Sequence, residues 1–338
     1  MTIRTRSLAA ATATLSALTM VSACAVTQKA DSATTTGETQ IAFLTASSAN
    51  TWLTASLKAM NEDAAKQNVK ITVFDAKFQP GTASKQIEDV IAAKKYKGIV
   101  LATVDGSAAI PAVQDALDAG LKVVVLNQVV GTKLDTADPQ VAGISASVLA
   151  PPQATGERLG KLTVKACAET KPCDVVYMYG TKGTPFDDAV RKGFDAQIAG
   201  DGAIKVVADA EGGFLGTDQP RKATQDVIQA HPSFDVLVGS GDQQIRGALL
   251  ALTDAGKTKV KVIGVGGSEP AIAGVKDGTW WGDVAGAPVT EGHAAFAAMM
   301  DAVKNGKDEG GVDVTDQLVD NGLITKANVD KFTAQWPG

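Results

Sequence analysis

From Gln40 onward, short apolar runs alternate with stretches of helical spacing. The runs begin near Ile41 (IAFLTAS), Val69 (VKITVFDA), Ile99 (IVLATV), Lys122 (KVVVLNQ) and Val141 (VAGISAS). A second series begins near Val175 (VVYMYG), Ile204 (IKVVADA), Asp235 (DVLVGSG), Val260 (VKVIGVG) and Trp281 (WGDVAG). They are continuous and β-branched rather than alternating, as strands buried on both faces should be. Between them, Leu53, Leu57, Met60 and Ala64 fall on one helical face, as do Ile87, Val90 and Ile91, and Val227 with Ile228. Gly120 and Gly256 stand where a helix should stop before the next strand. Strand–helix alternation at this spacing predicts βαβ units and parallel sheets. Pairing the two series start by start gives offsets of about 134, 135, 136, 138 and 140 residues. The near-constant offset predicts two similar doubly wound α/β lobes in tandem.

The composition is that of a globular chain. Of 338 residues, 45% are hydrophobic and 20% charged, which excludes collagen-like and wholly disordered classes. The formal charge is −5, with no basic block to displace counterions from a phosphate backbone, so nucleic acid is not an expected partner.

The first residues read as an address. Arg4 and Arg6 precede an uncharged stretch from Ser7 to Ala23 that carries Leu8, Leu15, Leu18, Met20 and Val21, with small Ser22 and Ala23 before Cys24. Residues 1–23 are therefore expected to be a secretory signal, too short and too polar for a membrane anchor. Val21-Ser22-Ala23-Cys24 resembles a bacterial lipobox, which implies cleavage before Cys24, lipidation of its thiol and attachment to a membrane surface. A plain secreted protein with a stray thiol at Cys24 is the alternative. Residues 24–39, rich in Thr, Ala, Ser and Lys, read as a flexible tether. Two cysteines remain, Cys167 and Cys173. In an oxidising compartment such a pair can bridge across the Pro172 turn, the alternative being two independent buried thiols.

In open parallel sheets, ligands bind beyond the carboxyl ends of the strands. The residues there are Ser47, Ser48, Asn50 and Trp52 after the first run, then Asp75, Asp105, Asn127 and Gln128. In the second half they are Thr184, Phe186, Asp187, Asp188, Glu211, Phe214, Asp242, Gln243, Gly266, Ser268 and Glu269. Amides, hydroxyls and carboxylates exchange hydrogen bonds with hydroxyls, and aromatic faces cover the C–H face of a sugar ring. Taken singly, Ser47, Asp75 and Asp242 fit a helix cap or a turn equally well.

Three stretches carry a family resemblance. AHPSFDVLVGSGDQQIRGALLALTDAGKTKVKVIGVGG, IAFLTASSANTWLTASLKAM and GIVLATVDGSAAIPAVQDALDAGLKVVVLNQ resemble type I periplasmic binding proteins of the ribose-binding group, as does the ending GLITKANVDKF. The resemblance covers about residues 40–336 and implies two lobes joined by a three-strand hinge. Crossings are implied near Ser147, Gly286 and Thr315, so one lobe would comprise 40–147 plus 287–315 and the other 148–286 plus 316–338. It further implies a monomeric, extracytoplasmic solute-binding lipoprotein of an ABC importer, partnered by a membrane permease and binding a carbohydrate or polyol without a cofactor. Asn50 and Trp52 match the family's first-loop pair. Asn127 stands where Asp is usual and Gln128 where Arg is frequent. The loop that normally supplies an Arg has Asp187 or Asp188, and Asp242 is preceded by Gly241. Gly266 and Gly286 replace an Asp and a late polar residue. Several polar contacts of the family are thus missing, which also leaves room for an amino or cationic ligand.

No nucleotide-cradling or nucleophile-elbow motif is present, GVGGSEPA lacks the full dinucleotide pattern, and His231 and His293 have no metal-ligand spacing. An enzyme is not expected. The alternative function is a sensory protein that presents a signal molecule to a membrane receptor.

Overall fold

A computed structural model of the chain describes residues 37–316 and 318–338. The expected signal segment, Cys24 and most of the tether lie outside the described residues. Among those described, no helix is long and apolar enough to cross a membrane.

The first sheet is built from β1 (Thr39–Thr45), β2 (Val69–Asp75), β3 (Gly98–Ala102), β4 (Lys122–Leu126) and β5 (Ala146–Leu149), connected through α1 (Thr51–Ala64), α2 (Pro80–Ala93) and α3 (Ile110–Asp118). The chain then crosses into α4 (Pro152–Ala166), β6 (Cys173–Tyr179), α5 (Pro185–Ile198), β7 (Ile204–Glu211), α6 (Asp218–Ala230) and β8 (Val236–Gly239). It continues through α7 (Asp242–Asp254), β9 (Lys261–Gly266), α8 (Glu269–Asp277) and β10 (Gly282–Ala285). A second crossing leads to α9 (Pro288–Asn305) and β11 (Gly310–Asp313), and a third to β12 (Leu323–Thr325).

The strand orders are β11-β5-β4-β3-β1-β2 and β12-β10-β9-β8-β6-β7. The five main strands of each sheet therefore follow the same doubly wound order, as the repeated spacing predicts. Every pairing is parallel except β10 with β12. Apolar layers cover both faces of each sheet. In the first, Phe43, Val100 and Val124 meet Met60 and Met299 on one side, while Leu44, Leu101 and Val125 meet Ile87 and Val113 on the other. In the second, Leu237 and Val262 pack with Ile245 and Trp280, and Tyr177, Val236 and Ile263 with Leu159 and Phe194. Full burial of one such side chain contributes about 1.5–3 kcal/mol, which explains the unbroken β-branched runs.

The fifth strand departs from its expected start. Residues 141–145 form a bend, and pairing begins at Ala146. Gly143, at φ +96, turns the chain, yet Val141 and Ile144 remain buried. Apolar pattern reports burial and not extension, so the sequence placed the strand too early. At its other end β5 stays in the first sheet to Leu149, opposite Asp313. Gly120 and Gly256 take positive φ just past α3 and α7, as helix-terminating glycines do.

Cys167 and Cys173 are joined by a disulfide, with Cα atoms 5.7 Å apart, and both are fully buried. It ties the end of α4 to the start of β6. Reduction in denaturant should lower the unfolding free energy by about 2–3 kcal/mol on the loop-entropy argument. Urea unfolding with and without reductant checks this; identical midpoints would refute it.

Candidate functional site

The carboxyl ends of both sheets face a cavity of about 170 Å³. On the first-lobe side, the turn after β1 delivers Asn50 as the N-cap of α1. Its side-chain oxygen accepts the Leu53 N–H at 3.0 Å, satisfying one of the helix's orphan donors. Its amide nitrogen then donates across the cleft to the Phe214 carbonyl at 3.3 Å. A second bond crosses the same gap, from Gln243 Nε2 to Thr51 Oγ1 at 3.4 Å. The two lobes thus meet directly through these residues.

Aromatic groups form much of the wall. Phe186 and Phe214 meet edge to face at 6.1 Å, and Trp52 and Trp336 at 5.4 Å. Two glycines make room for the tryptophans. A Cβ on Gly286 would lie 2.2 Å from Trp52 Cη2, and one on Gly266 would lie 2.5 Å from Trp336 Cζ2. The rings therefore occupy the space that side chains at 286 and 266 would need.

The cavity also holds a buried carboxyl. Glu291, in the first turn of α9, accepts the Trp52 indole N–H at 2.8 Å through Oε2, while Oε1 has no hydrogen-bond partner among the described residues. Burial pushes its pKa up from 4.5 to about 8, against the Trp52 hydrogen bond and the nearby Asn127 amide, which hold it down. No Lys, Arg or His is among the described residues lining the cavity. Asn127 lines it with φ +64, a left-handed conformation that asparagine tolerates, beside Gln128.

Of the sequence candidates, Asn50, Trp52, Asn127, Gln128, Thr184, Phe186, Asp187, Phe214 and Gln243 line this one cavity. Asp187 is already saturated: Oδ1 accepts Gly180 N and Ser240 Oγ at 2.8 Å each, and Oδ2 accepts Thr181 N and Thr184 Oγ1. Burial raises its pKa, opposed by those bonds. Its carboxylate stitches the loop into α5 and presents little unused acceptor capacity.

The other candidates do not line the cavity, and local chemistry explains each. Ser47 Oγ accepts Ala49 N in a turn, and Ser48 is exposed. Asp105 Oδ1 accepts Ser107 N and Ala108 N, and Asp75 Oδ1 accepts Lys77 N. Asp188, adjacent to Asp187, points to solvent, as does Glu269. Gly266 carries no side chain and offers its carbonyl to Trp336 Nε1 at 2.8 Å. Asp242 is fully buried below the site, where Oδ2 accepts Ser268 N at 2.8 Å. It is coupled to Asp283 on β10. Burial raises both, and repulsion from Asp242 raises Asp283 further.

Sequence reasoning missed Glu291 and Trp336, together with Phe78, Thr103, Thr155, Thr181, Ser240 and Thr315. Glu291 carried one signal, an acidic residue three positions after the helix-starting Pro288. Trp336 lies in the short polar ending TAQWPG, whose position no periodicity reveals. Trp280 is buried in the core of the second lobe and Trp281 packs partly buried against its other face; neither lines the cavity.

A sequence model of the periplasmic binding protein domain matches residues 41–308. The chain belongs to this family. Its members bind solutes and are not enzymes. The chain is 25% identical to the xylitol-binding protein of Mycolicibacterium smegmatis over 284 residues, 83% of this chain and 76% of that protein. It is 25% identical to the ribose import binding protein RbsB of Bacillus subtilis over 258 residues, 74% and 76% of the two chains. Among solved structures, an ABC transporter solute-binding protein from Bacillus halodurans with bound myo-inositol superposes with TM-score 0.77. It is 21% identical, with 88% of this chain and 98% of that one covered, and so shares the fold. Members of the family act outside the cytoplasm.

Proposed function

We propose that this periplasmic binding protein captures a neutral polyhydroxylated solute, a carbohydrate or polyol, between its lobes and delivers it to the permease of an ABC importer. The observation that carries this reading is the cavity itself. It sits at the carboxyl ends of two parallel sheets, is crossed by the Asn50–Phe214 and Gln243–Thr51 bonds, and combines amides and hydroxyls with aromatic faces. Amides can both donate to and accept from hydroxyls, while the rings cover C–H surface. The functions of the relatives, xylitol binding and ribose import, favour import over a sensory role. The nine sequence candidates that line the cavity are the proposed ligand contacts, joined by Thr103, Glu291 and Trp336. Cys24 is the proposed lipid attachment point after removal of residues 1–23, holding a monomer at the outer face of the cell membrane.

The test is a thermal-shift screen of pentoses, hexoses, cyclitols and linear polyols, with mass spectrometry of any solute that co-purifies. A solute present at 100 times its Kd should add about 2.7 kcal/mol of stability. If no compound stabilises the protein and no such solute co-purifies, the polyol reading fails.

A further inference from the structure

Residues 332–338 lie beyond the stretch matched by the family model, residues 41–308, yet they reach the centre of the molecule. Trp336 is only 3% exposed. On the second lobe its indole N–H donates to the Gly266 carbonyl at 2.8 Å, and its own carbonyl accepts Glu269 N at 3.0 Å. On the first lobe it meets Trp52 edge to face. The neighbouring Gln335 turns to α9, which packs on α1 and under β4 and β5. Gln335 Oε1 accepts Thr290 N at 3.0 Å, and Gln335 Nε2 donates to Thr290 Oγ1 at 3.0 Å.

That second contact has a local cause. The N-terminus of α9 begins Ala287-Pro288 and has no side-chain cap of its own. A helix start leaves orphan backbone N–H groups that need an outside acceptor. The tail's glutamine supplies it, so a segment rooted in the second lobe completes a helix of the first.

We propose that residues 332–338 are a strap that holds the two lobes together and forms, through Trp336, a wall of the solute cavity. The identity of that cavity as the solute site rests on the reading above; the strap itself does not. One residue joins Gly266 to Trp52, and the next joins the same tail to Thr290. Separation of the lobes must break the Gln335 pair, the Trp52–Trp336 contact, or the tail's hold on Gly266. Rotation about the crossings is thereby opposed from the side where Gly286 and Gly266 lie.

The experiment compares the parent protein with Trp336→Ala, Trp336→Phe and Gln335→Ala. All are dialysed free of solute and checked for folding by far-ultraviolet circular dichroism. Small-angle X-ray scattering then reads the separation of the lobes. Trp336→Ala and Gln335→Ala are expected to shift to a larger radius of gyration, with Trp336→Phe, which keeps an aromatic face, closer to the parent. If Trp336→Ala does not fold, Gln335→Ala decides, since it deletes only hydrogen bonds to Thr290 from a partly exposed side chain. The proposal stands if either folded variant opens and falls if every folded variant scatters like the parent. No solute is needed, so a failed ligand screen and a failed strap are separate results.

Discussion

Glu291→Gln should make the folded protein more stable than the parent near pH 8, by roughly 2–5 kcal/mol, and the advantage should shrink toward zero near pH 4. The carboxyl is buried, and its pKa is raised from 4.5 to about 8. Below pH 4.5 it carries a proton in both the folded and unfolded chain, so its contribution to stability is fully present. Between pH 4.5 and about 8 the unfolded chain ionises while the folded one keeps its proton. Each pH unit in that window then removes about 1.4 kcal/mol from the folded state, and the loss is complete above pH 8. Glutamine keeps an acceptor for the Trp52 indole N–H and has no proton to lose. Urea unfolding of both proteins from pH 4 to 8.5 measures the difference, and the common titrations of all other groups cancel. A gap between the two that stays constant with pH would show that Glu291 ionises normally in the folded state.

Gly286→Ala should cost about 1–3 kcal/mol of stability and weaken solute binding at least tenfold, out of proportion to the single methyl group added. The new Cβ would lie 2.2 Å from Trp52 Cη2, 2.5 Å from Trp52 Cζ3 and 2.9 Å from the Gly266 carbonyl. The indole must move, and with it go the bond to Glu291 and the edge contact with Trp336. The two clashing ring atoms are those a phenylalanine lacks. Trp52→Phe combined with Gly286→Ala should therefore recover much of the stability lost by Gly286→Ala alone. A double-mutant cycle by chemical denaturation gives the coupling, and additive single effects would sink this account of the pair. The same cycle tests whether position 286 must be a glycine because the Trp52 ring fills the space a side chain there would need.

These two residues also mark the limit of what the sequence made legible. Val123, Val124 and Val125 announce a doubly buried strand because three consecutive β-branched residues have no other economical burial. Leu53, Leu57, Met60 and Ala64 announce the first helix by their spacing, whereas its cap by Asn50, satisfied three residues away, appears only in the structure. Strand ends then locate a ring of candidate side chains, since parallel βαβ topology puts every such loop on one edge.

Which members of that ring line the cavity was decided elsewhere. Asp187 and Asp188 are neighbours in sequence, but one is buried and claimed by four donors while the other faces water. Asp242 sits at the start of α7 as expected, yet the Ser268 amide and Asp283 draw it into the interior of the second lobe. Glu291 is the fourth residue of an amphipathic helix and would read as a solvated first-turn acid. Only the packing of α9 against the first sheet and Trp52 turns it inward.

The sequence by itself determined the two parallel sheets, their shared strand order and the edge on which the cavity opens, because burial periodicity acts over a few residues. The tertiary structure alone decided that Trp336 and Glu291 belong to the cavity and that Asp188, Asp242 and Glu269 do not. Those outcomes depend on which distant backbone amide or ring occupies a given space, and that competition leaves no periodic trace in the order of the residues.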